Sequence, residues 1–395
     1  MAINLVYHKK IYRAVLAIIG RSGRIVWLYM NHLHHLKKNK EMLELRFHII
    51  RLIREWFFGE GFLEVETPLI LRYPGQEPYL SPMKLTVHDE RGTAYQAYLH
   101  TSPEYTMKKM LSAGFDKIFF LGKVFRDHES FGGTHNPEFT MIEWYRAGED
   151  FWKLMEDVES LFSFVVSKLG NNEMAKLRNQ KMTEFRNFDI SQFRHFRKVH
   201  MRELWREYAG VNLDDYLDVE SMRQLCISNF SIRPELMPKG FQIADFESYE
   251  DLFFRIFLNY IEPKLTEPTI IHHYPAPMAA LAKLSSKEPG YAERFEVYVG
   301  GMEIANCFTE LTDADEQLRR LEAEKKQRQD IGKDVYDIDM EFIEALRHMP
   351  PAAGIALGVD RLAQVLLDCR NIDNMIPLPA SKLFMETRYD QKIAD

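Results

Sequence analysis

Three stretches of this sequence place charged residues inside segments that otherwise read as apolar strands. Arg126 follows Phe125, and His135-Asn136-Pro137-Glu138-Phe139 comes nine residues on, with Glu143 and Tyr145 close behind. Glu296, Glu303, Asn306 and Glu310 fall within fifteen residues of one another, and Gly354, Ala356 and Gly358 alternate up to Asp360-Arg361. Charged side chains are rarely buried unless they are paired or bound to something. Two arginines from distant segments could neutralise the acids as a buried ion-pair network, or could clamp a phosphate. Either reading serves for one cluster alone. The three together, in this order, point to chemistry.

The elements that must position them are legible from spacing. Ile49, Ile50, Ile53, Trp56 and Phe57 mark an amphipathic helix, stopped by Gly59 and Gly61. An extended segment, Gly61–Ile70, ends near Pro68, and Thr86–Leu99 alternates as a hairpin turning at Arg91-Gly92. Ser102 can cap a short helix that has Pro103 at its first position and Gly114 past its end. Lys117–Arg126 and Glu138–Arg146 read as a long antiparallel hairpin, and Phe151–Leu169 as a helix with one apolar side. Arg294–Gly300 and Met302–Leu311 form a further strand pair. A charged helix runs from Thr312 to about Asp330, and the strand Gly354–Gly358 leads into a helix over Arg361–Leu367. Residues 171–268 are mixed, largely helical and without a motif. Antiparallel strands dominate, so the fold class expected is α+β.

At 395 residues and 46% hydrophobic, the chain can bury a large core. A net charge of −7 excludes a surface that binds polyanions as a whole. Cys226, Cys307 and Cys369 are scattered, without metal-ligand spacing, which suits a reducing cytoplasm. Residues 1–41 differ from the rest: eight Lys and Arg face the single acid Glu41, and His32, His34 and His35 cluster there. The apolar runs Ala14–Ile19 and Ile25–Met30 are split by Arg21 and Arg24, and neither approaches the roughly 20 apolar residues of a membrane span. No signal-peptide cleavage site is clear. We expect a loose basic extension over 1–41, with Met42 as an alternative start, ahead of one catalytic domain over 42–395 with a mainly helical insertion near 171–268.

Gly61–Ile70 resembles motif 1 of class II aminoacyl-tRNA synthetases, Phe125-Arg126 through Arg146 resembles motif 2, and Gly354–Arg361 resembles motif 3. Thr101-Ser102-Pro103-Glu104, HNPEFTMIEWY (135–145) and GMEIANCFTELTDADEQ (301–317) resemble the lysyl branch. They match best its truncated bacterial paralogues, the elongation factor P lysine ligases. The resemblance covers roughly Met42 to Leu378 and is weakest over 171–268. It implies an antiparallel sheet flanked by helices, a homodimer paired through motif 1, and ATP-dependent activation of a lysine-like amino acid as its adenylate.

The resemblance also implies roles for residues. Arg126 would bridge the amino-acid carboxylate and the α-phosphate, and Arg361 would hold the terminal phosphates. Glu296 and Glu303 would carry Mg²⁺, which favours a few carboxylates with phosphate oxygens and water. Asp127, His128, Glu129, His135, Asn136, Phe139, Ile304 and Gly358 would surround the nucleotide. Ser102 and Glu104 would sit at the near amino group, Asn306 at the carboxylate, and Glu143, Tyr145 and Glu310 at the far ammonium. The attacking carboxylate is already ionised at neutral pH, so the step needs positioning and charge stabilisation rather than a base. A buried ammonium needs such acids around it.

Three departures matter. The loop from Arg126 to His135 is one residue longer than the lysyl pattern, and Cys307 replaces a glycine. Ala356 stands where lysyl-tRNA synthetases carry glycine, as it does in the paralogues, whose substrate is (R)-β-lysine. An anticodon-binding barrel cannot be made from 41 residues, so the expected acceptor is a lysine of elongation factor P and not tRNA. The alternatives are a truncated synthetase with another acceptor, or an inactive paralogue serving as a binding module. Against inactivity, Arg126, Glu296, Glu303 and Arg361 are all present.

Overall fold

Alternation along the strands sorts this chain into a greasy face and a polar one, and the sheet keeps them apart. The structure, a computed structural model, describes residues 25–178, 195–232 and 247–384. The strands are β1 Leu63–Glu64, β2 Ile70–Leu71, β3 Lys84–His88, β4 Ala94–Leu99, β5 Lys117–Phe125, β6 Glu138–Ala147, β7 Arg197–His200, β8 Thr269–Pro275, β9 Tyr291–Val299, β10 Met302–Thr309 and β11 Ala352–Gly358. Eight form one sheet in the order β1-β5-β6-β11-β10-β9-β8-β7, and β2-β4-β3 form a small second one. The long sheet is antiparallel except at its ends, where β1 runs parallel to β5 and β7 parallel to β8. The fold class is therefore α+β, a mainly antiparallel sheet with helices on both faces.

Phe119, Ile142, Trp144, Val297, Ala305, Cys307, Ile355 and Leu357 point to one face and are buried. There they meet the apolar sides of helices Lys40–Gly59 and Phe151–Arg178. Phe57 stacks on Phe119 at 4.7 Å and meets Trp144 edge-on at 5.2 Å. Each such side chain contributes about 1.5–3 kcal/mol by leaving water. The residues between them, Glu143, Tyr145, Asn306, Gly354 and Ala356, face the other way, toward helices Glu104–Ser112, Ala314–Asp330 and Met340–Leu346. The residues singled out for chemistry belong to this second face.

The described part of the N-terminal stretch differs from the loose extension expected. Ile25–Lys38 is a helix; His35 is buried, and its Nε2 donates to the Ile376 carbonyl at 3.1 Å. Residues 1–24 lie outside the described residues. The insertion supplies helices Met201–Tyr208, Val219–Ile232 and Tyr249–Ile256 with a core of their own, and also β7, which the sequence did not announce. No helix among the described residues is long and apolar enough to cross a membrane. All three cysteines are free and buried. Phe47, Phe58, Leu63, Leu69 and Ile70 leave an exposed apolar strip along the helix Lys40–Gly59 and the segment after it.

Candidate active site

The register of four strands assembles the site. Ala356 of β11 lies opposite Glu143 of β6 on one side and Asn306 of β10 on the other, and Asn306 lies opposite Glu296 of β9. Strict alternation would turn Glu303 away from Asn306. A bulge between Glu303 and Ala305 inserts one residue into β10, so Glu303 pairs with Tyr298 and reaches the polar face. Above this row lies a cavity of about 390 Å³.

Its blind end is acidic. Glu143 is buried; Ser102 Oγ donates to its Oε1 at 2.5 Å, and the Tyr145 hydroxyl to its Oε2 at 3.3 Å. Burial and then the neighbouring Glu104 push its carboxyl up to about 8. Glu310 is likewise pushed up to about 8, by burial, against the pull of Lys108. Lys108, one turn after Glu104 on the same helix, is wholly buried, with Nζ at 2.6 Å from Glu104 Oε1 and 2.5 Å from Glu310 Oε2. Its ammonium is held above its ordinary range by the two carboxylates, which outweigh the burial. Gly354 makes the closeness possible: a Cβ there would run into the Tyr145 ring and the Glu310 carboxylate.

The other end is cationic. Arg126, just past β5, is tied through its backbone N–H to the Pro137 carbonyl at 2.9 Å. Its guanidinium lies 5.2 Å from the centre of the Phe139 ring, with Nε buried and unpartnered. Burial lowers its pKa, and Glu129 and Glu303 oppose that fall. Arg361, in the first turn of helix Val359–Leu366, donates to the Glu303 carbonyl at 2.8 Å and to His135 Nε2 at 3.0 Å. Two guanidinium groups facing one cavity suit a phosphate ester.

Of the residues assigned from the sequence, Ser102, Glu104, Arg126, Glu129, His135, Asn136, Phe139, Glu143, Tyr145, Glu303, Ile304, Asn306, Glu310, Ala356, Gly358 and Arg361 all line this cavity. Three do not. Asp127 and His128 are exposed, because the chain turns outward at His128, whose φ is +61°. Glu296 is buried, and its oxygens accept from Arg294 Nη2 at 2.6 Å, the Tyr274 hydroxyl at 2.6 Å and the Tyr298 hydroxyl at 2.9 Å. It behaves here as the centre of an ion-pair network rather than as an open metal ligand. Asp360 is spent the same way, accepting from Arg46 Nε and from the Thr140 N–H, both at 2.7 Å. Asn136 lines the cavity but also anchors the C-terminal segment, accepting from the Ala380 N–H at 2.9 Å.

Sequence reasoning missed Lys108 and Arg294, and it singled out Gly354 without the close approach that Gly354 allows. Lys108 shares the helix face of Tyr105, Met107 and Leu111, a cation on an apolar stripe, which was the available signal. Arg294 donates to Asn306 Oδ1 at 3.2 Å, leaving the Asn306 amide N–H groups as the ones free to donate.

The model for tRNA synthetases class II (D, K and N) matches residues 26–382. The chain is 35% identical over 336 residues to the elongation factor P–(R)-beta-lysine ligase of Avibacterium paragallinarum, covering 83% of this chain and 92% of that one. It is 34% identical over 339 residues to the same-named ligase of Yersinia enterocolitica, covering 85% and 93%. It is also 30% identical over 348 residues to the lysine–tRNA ligase of Listeria welshimeri, covering 88% of this chain but 65% of that one.

Proposed function

Because the chain belongs to the class II tRNA synthetases of the D, K and N type, we propose that it activates (R)-β-lysine with ATP and transfers it to a lysine side chain of elongation factor P. One observation carries this reading: a single cavity is acidic at its blind end and bears two arginines at the other. A diamine with a carboxylate fits that polarity. Glu143, Tyr145 and Glu310 receive the far ammonium, Ser102 and Glu104 the near amine, and Asn306 donates to the carboxylate. Arg126 then spans the carboxylate and the α-phosphate and stabilises the charge that builds as pyrophosphate leaves. Arg361 and His135 hold the distal phosphates, and Phe139, Glu129, Ile304 and Gly358 border the nucleotide.

Mg²⁺ fits this site in part. Burial and Glu296 raise the Glu303 carboxyl, a repulsion that a divalent cation would relieve. Glu303 would hold the ion, which would neutralise phosphate charge; Glu296, with three hydrogen bonds already accepted, could offer only the one remaining acceptor site on Oε1. We place a homodimer on the exposed strip of Phe47, Phe58, Leu63, Leu69 and Ile70. Light scattering at micromolar concentration should return twice the chain mass; a monomer mass counts against it.

The choice of β-lysine rests on Ala356, whose half-exposed methyl lies between Glu143 and Asn306 in the cavity wall. A methyl there crowds an α-amine and favours an amine one carbon further from the carboxylate. Such a difference is worth about 10- to 200-fold. The wild type should therefore support pyrophosphate exchange with β-lysine at a higher kcat/KM than with lysine, and Ala356→Gly should narrow or reverse the ratio. An unchanged ratio, with both rates lowered equally, would mean that Ala356 only packs.

A further inference from the structure

Three acids that line the same cavity have no part in the chemistry described so far. Glu77 follows Gly75, whose missing side chain makes room for its carboxylate; Glu250 is in the first turn of helix Tyr249–Ile256, and Glu324 is on helix Ala314–Asp330. They come from separate elements yet face one another. Burial, then Glu77 and Glu250, push the Glu324 carboxyl up to about 8, with Glu104 adding to the rise and Arg320 on its own helix opposing it. Burial raises Glu77 and Glu250 as well.

All three are partly exposed to the cavity, and among the described residues little offsets what they lose in leaving water. Among the described residues, Glu250 and Glu324 make no hydrogen bond and no ion pair, and Glu77 keeps Oε2 buried without a partner. Two nearby cations are engaged elsewhere, Arg320 with Glu316 and the carbonyls of Ala280 and Ala282, Arg328 with the carbonyls of Glu77, Leu80 and Asp334, while Arg126 offsets Glu77 only in part. No three acids or histidines among the described residues are arranged to hold a metal. Once a diamine's two ammonium groups draw Glu143 and Glu310 into their ionised forms, these two and Glu104, set against Lys108, carry two net negative charges, which match the two cations. Glu77, Glu250 and Glu324 are then surplus. Glu77 lies within electrostatic reach of both Glu104 and Arg126, beside the bond that transfer must break.

We propose that Glu77, Glu250 and Glu324 form the acceptor subsite, which draws a lysine ammonium of the acceptor protein into the cavity and takes its proton. This subsite presupposes the transfer proposed for the chain. The arriving ammonium favours the ionised form of the group, so one carboxyl, Glu324 first, loses its proton to water and then takes one from the ammonium. The freed nitrogen lone pair forms the N–C bond at the adenylate carbonyl, the bond from that carbon to the phosphate oxygen breaks, and AMP leaves with its electron pair. The nitrogen's second proton follows to the same carboxylate once the first has passed to water. A carboxyl near 8 narrows the gap to a lysine ammonium from about six pKa units to between two and three, which brings the proton within reach.

The test uses the full chain with ATP, β-lysine and elongation factor P. In Glu324→Gln, transfer should fall by about 10²-fold or more, while β-lysine-dependent pyrophosphate exchange stays within about two-fold. Hydroxylamine, neutral at pH 7, should capture the adenylate as fast as in the wild type. Transfer by the variant should climb about tenfold per pH unit from 7 to 9, whereas the wild type should level off above about pH 8. Losing an uncompensated acid should not lower Tm, and Glu250→Gln serves as a second variant. Transfer at the wild-type rate overturns the subsite; equal loss of exchange and transfer assigns these acids to the donor and overturns it too. A wild type that exchanges but modifies no elongation factor P overturns the acceptor itself, a result distinguishable from either.

Discussion

Replacing Arg126 with alanine is expected to lower kcat/KM for lysine-dependent pyrophosphate exchange by about 10³- to 10⁵-fold, the range found when a guanidinium that stabilises phosphoryl transfer is removed. The size follows from where the side chain sits. Its guanidinium lies against the Phe139 ring at the cavity wall; Nε is buried without a partner among the described residues, and Glu129 and Glu303 lie near enough to favour its charge. A charge poised in that way has its full effect on another charge brought against it. Arg126→Lys should recover little, because an ammonium is a point charge and cannot bridge a carboxylate and a phosphate together. The fold should survive, since no internal ion pair is broken. Thermal melting and exchange kinetics on the same preparation separate the two effects. A loss below about tenfold would remove Arg126 from the reaction.

Lys108→Met should be the most destabilising single change in the site. It strands Glu104 and Glu310, whose one ion-pair partner among the described residues is this wholly buried ammonium. Removing one member of a buried ion pair costs about 3–5 kcal/mol, because the remaining charge stays out of water. The cost should depend on pH with a definite sign. Glu310 is held above the ordinary carboxylate range even with Lys108 present, so it binds a proton more tightly folded than unfolded. Such a group loses stability as pH rises from about 4.5 through about 8, and without Lys108 the decline steepens. Melting curves at pH 6 and pH 9 should show a larger deficit for the variant at pH 9. Equal deficits would mean that the lysine contributes packing and not charge.

How much of this was legible beforehand divides along physical lines. Strand parity and the three polar clusters were visible because alternation is a property of the backbone; Glu143, Asn306, Glu310 and Ala356 all reached the cavity. Glu303 also did, but through a bulge that no spacing rule announces. Glu296 was placed in the right row, yet its hydrogen bonds from Tyr274 and Arg294 depend on how neighbouring side chains meet, which the sequence does not state. Asp127 and His128 lie outside the cavity lining, where one left-handed residue re-aims the loop. Lys108 went unseen because a lysine on a helix ordinarily means solvent. The helix at Ile25–Lys38 and the edge strand β7 are held by partners far along the chain, so local composition could not reveal them.

The single added residue in β10 also bears on how this chain can vary in length. Asn306 and Cys307 are neighbours in sequence but belong to opposite sides of the sheet, one to the cavity and one to the core. Inserting or deleting one residue between Ala305 and Asn306 would exchange the two sides of the strand beyond it at a stroke, turning Cys307 toward the cavity and Asn306 into the core. Point substitutions there can be graded in their effects, but a change of length cannot. Lineages of this enzyme should therefore record length changes where the backbone has no parity to keep: the outward loop near His128, the Gly300-Gly301 turn, and the tip of the β3–β4 hairpin around Gly92.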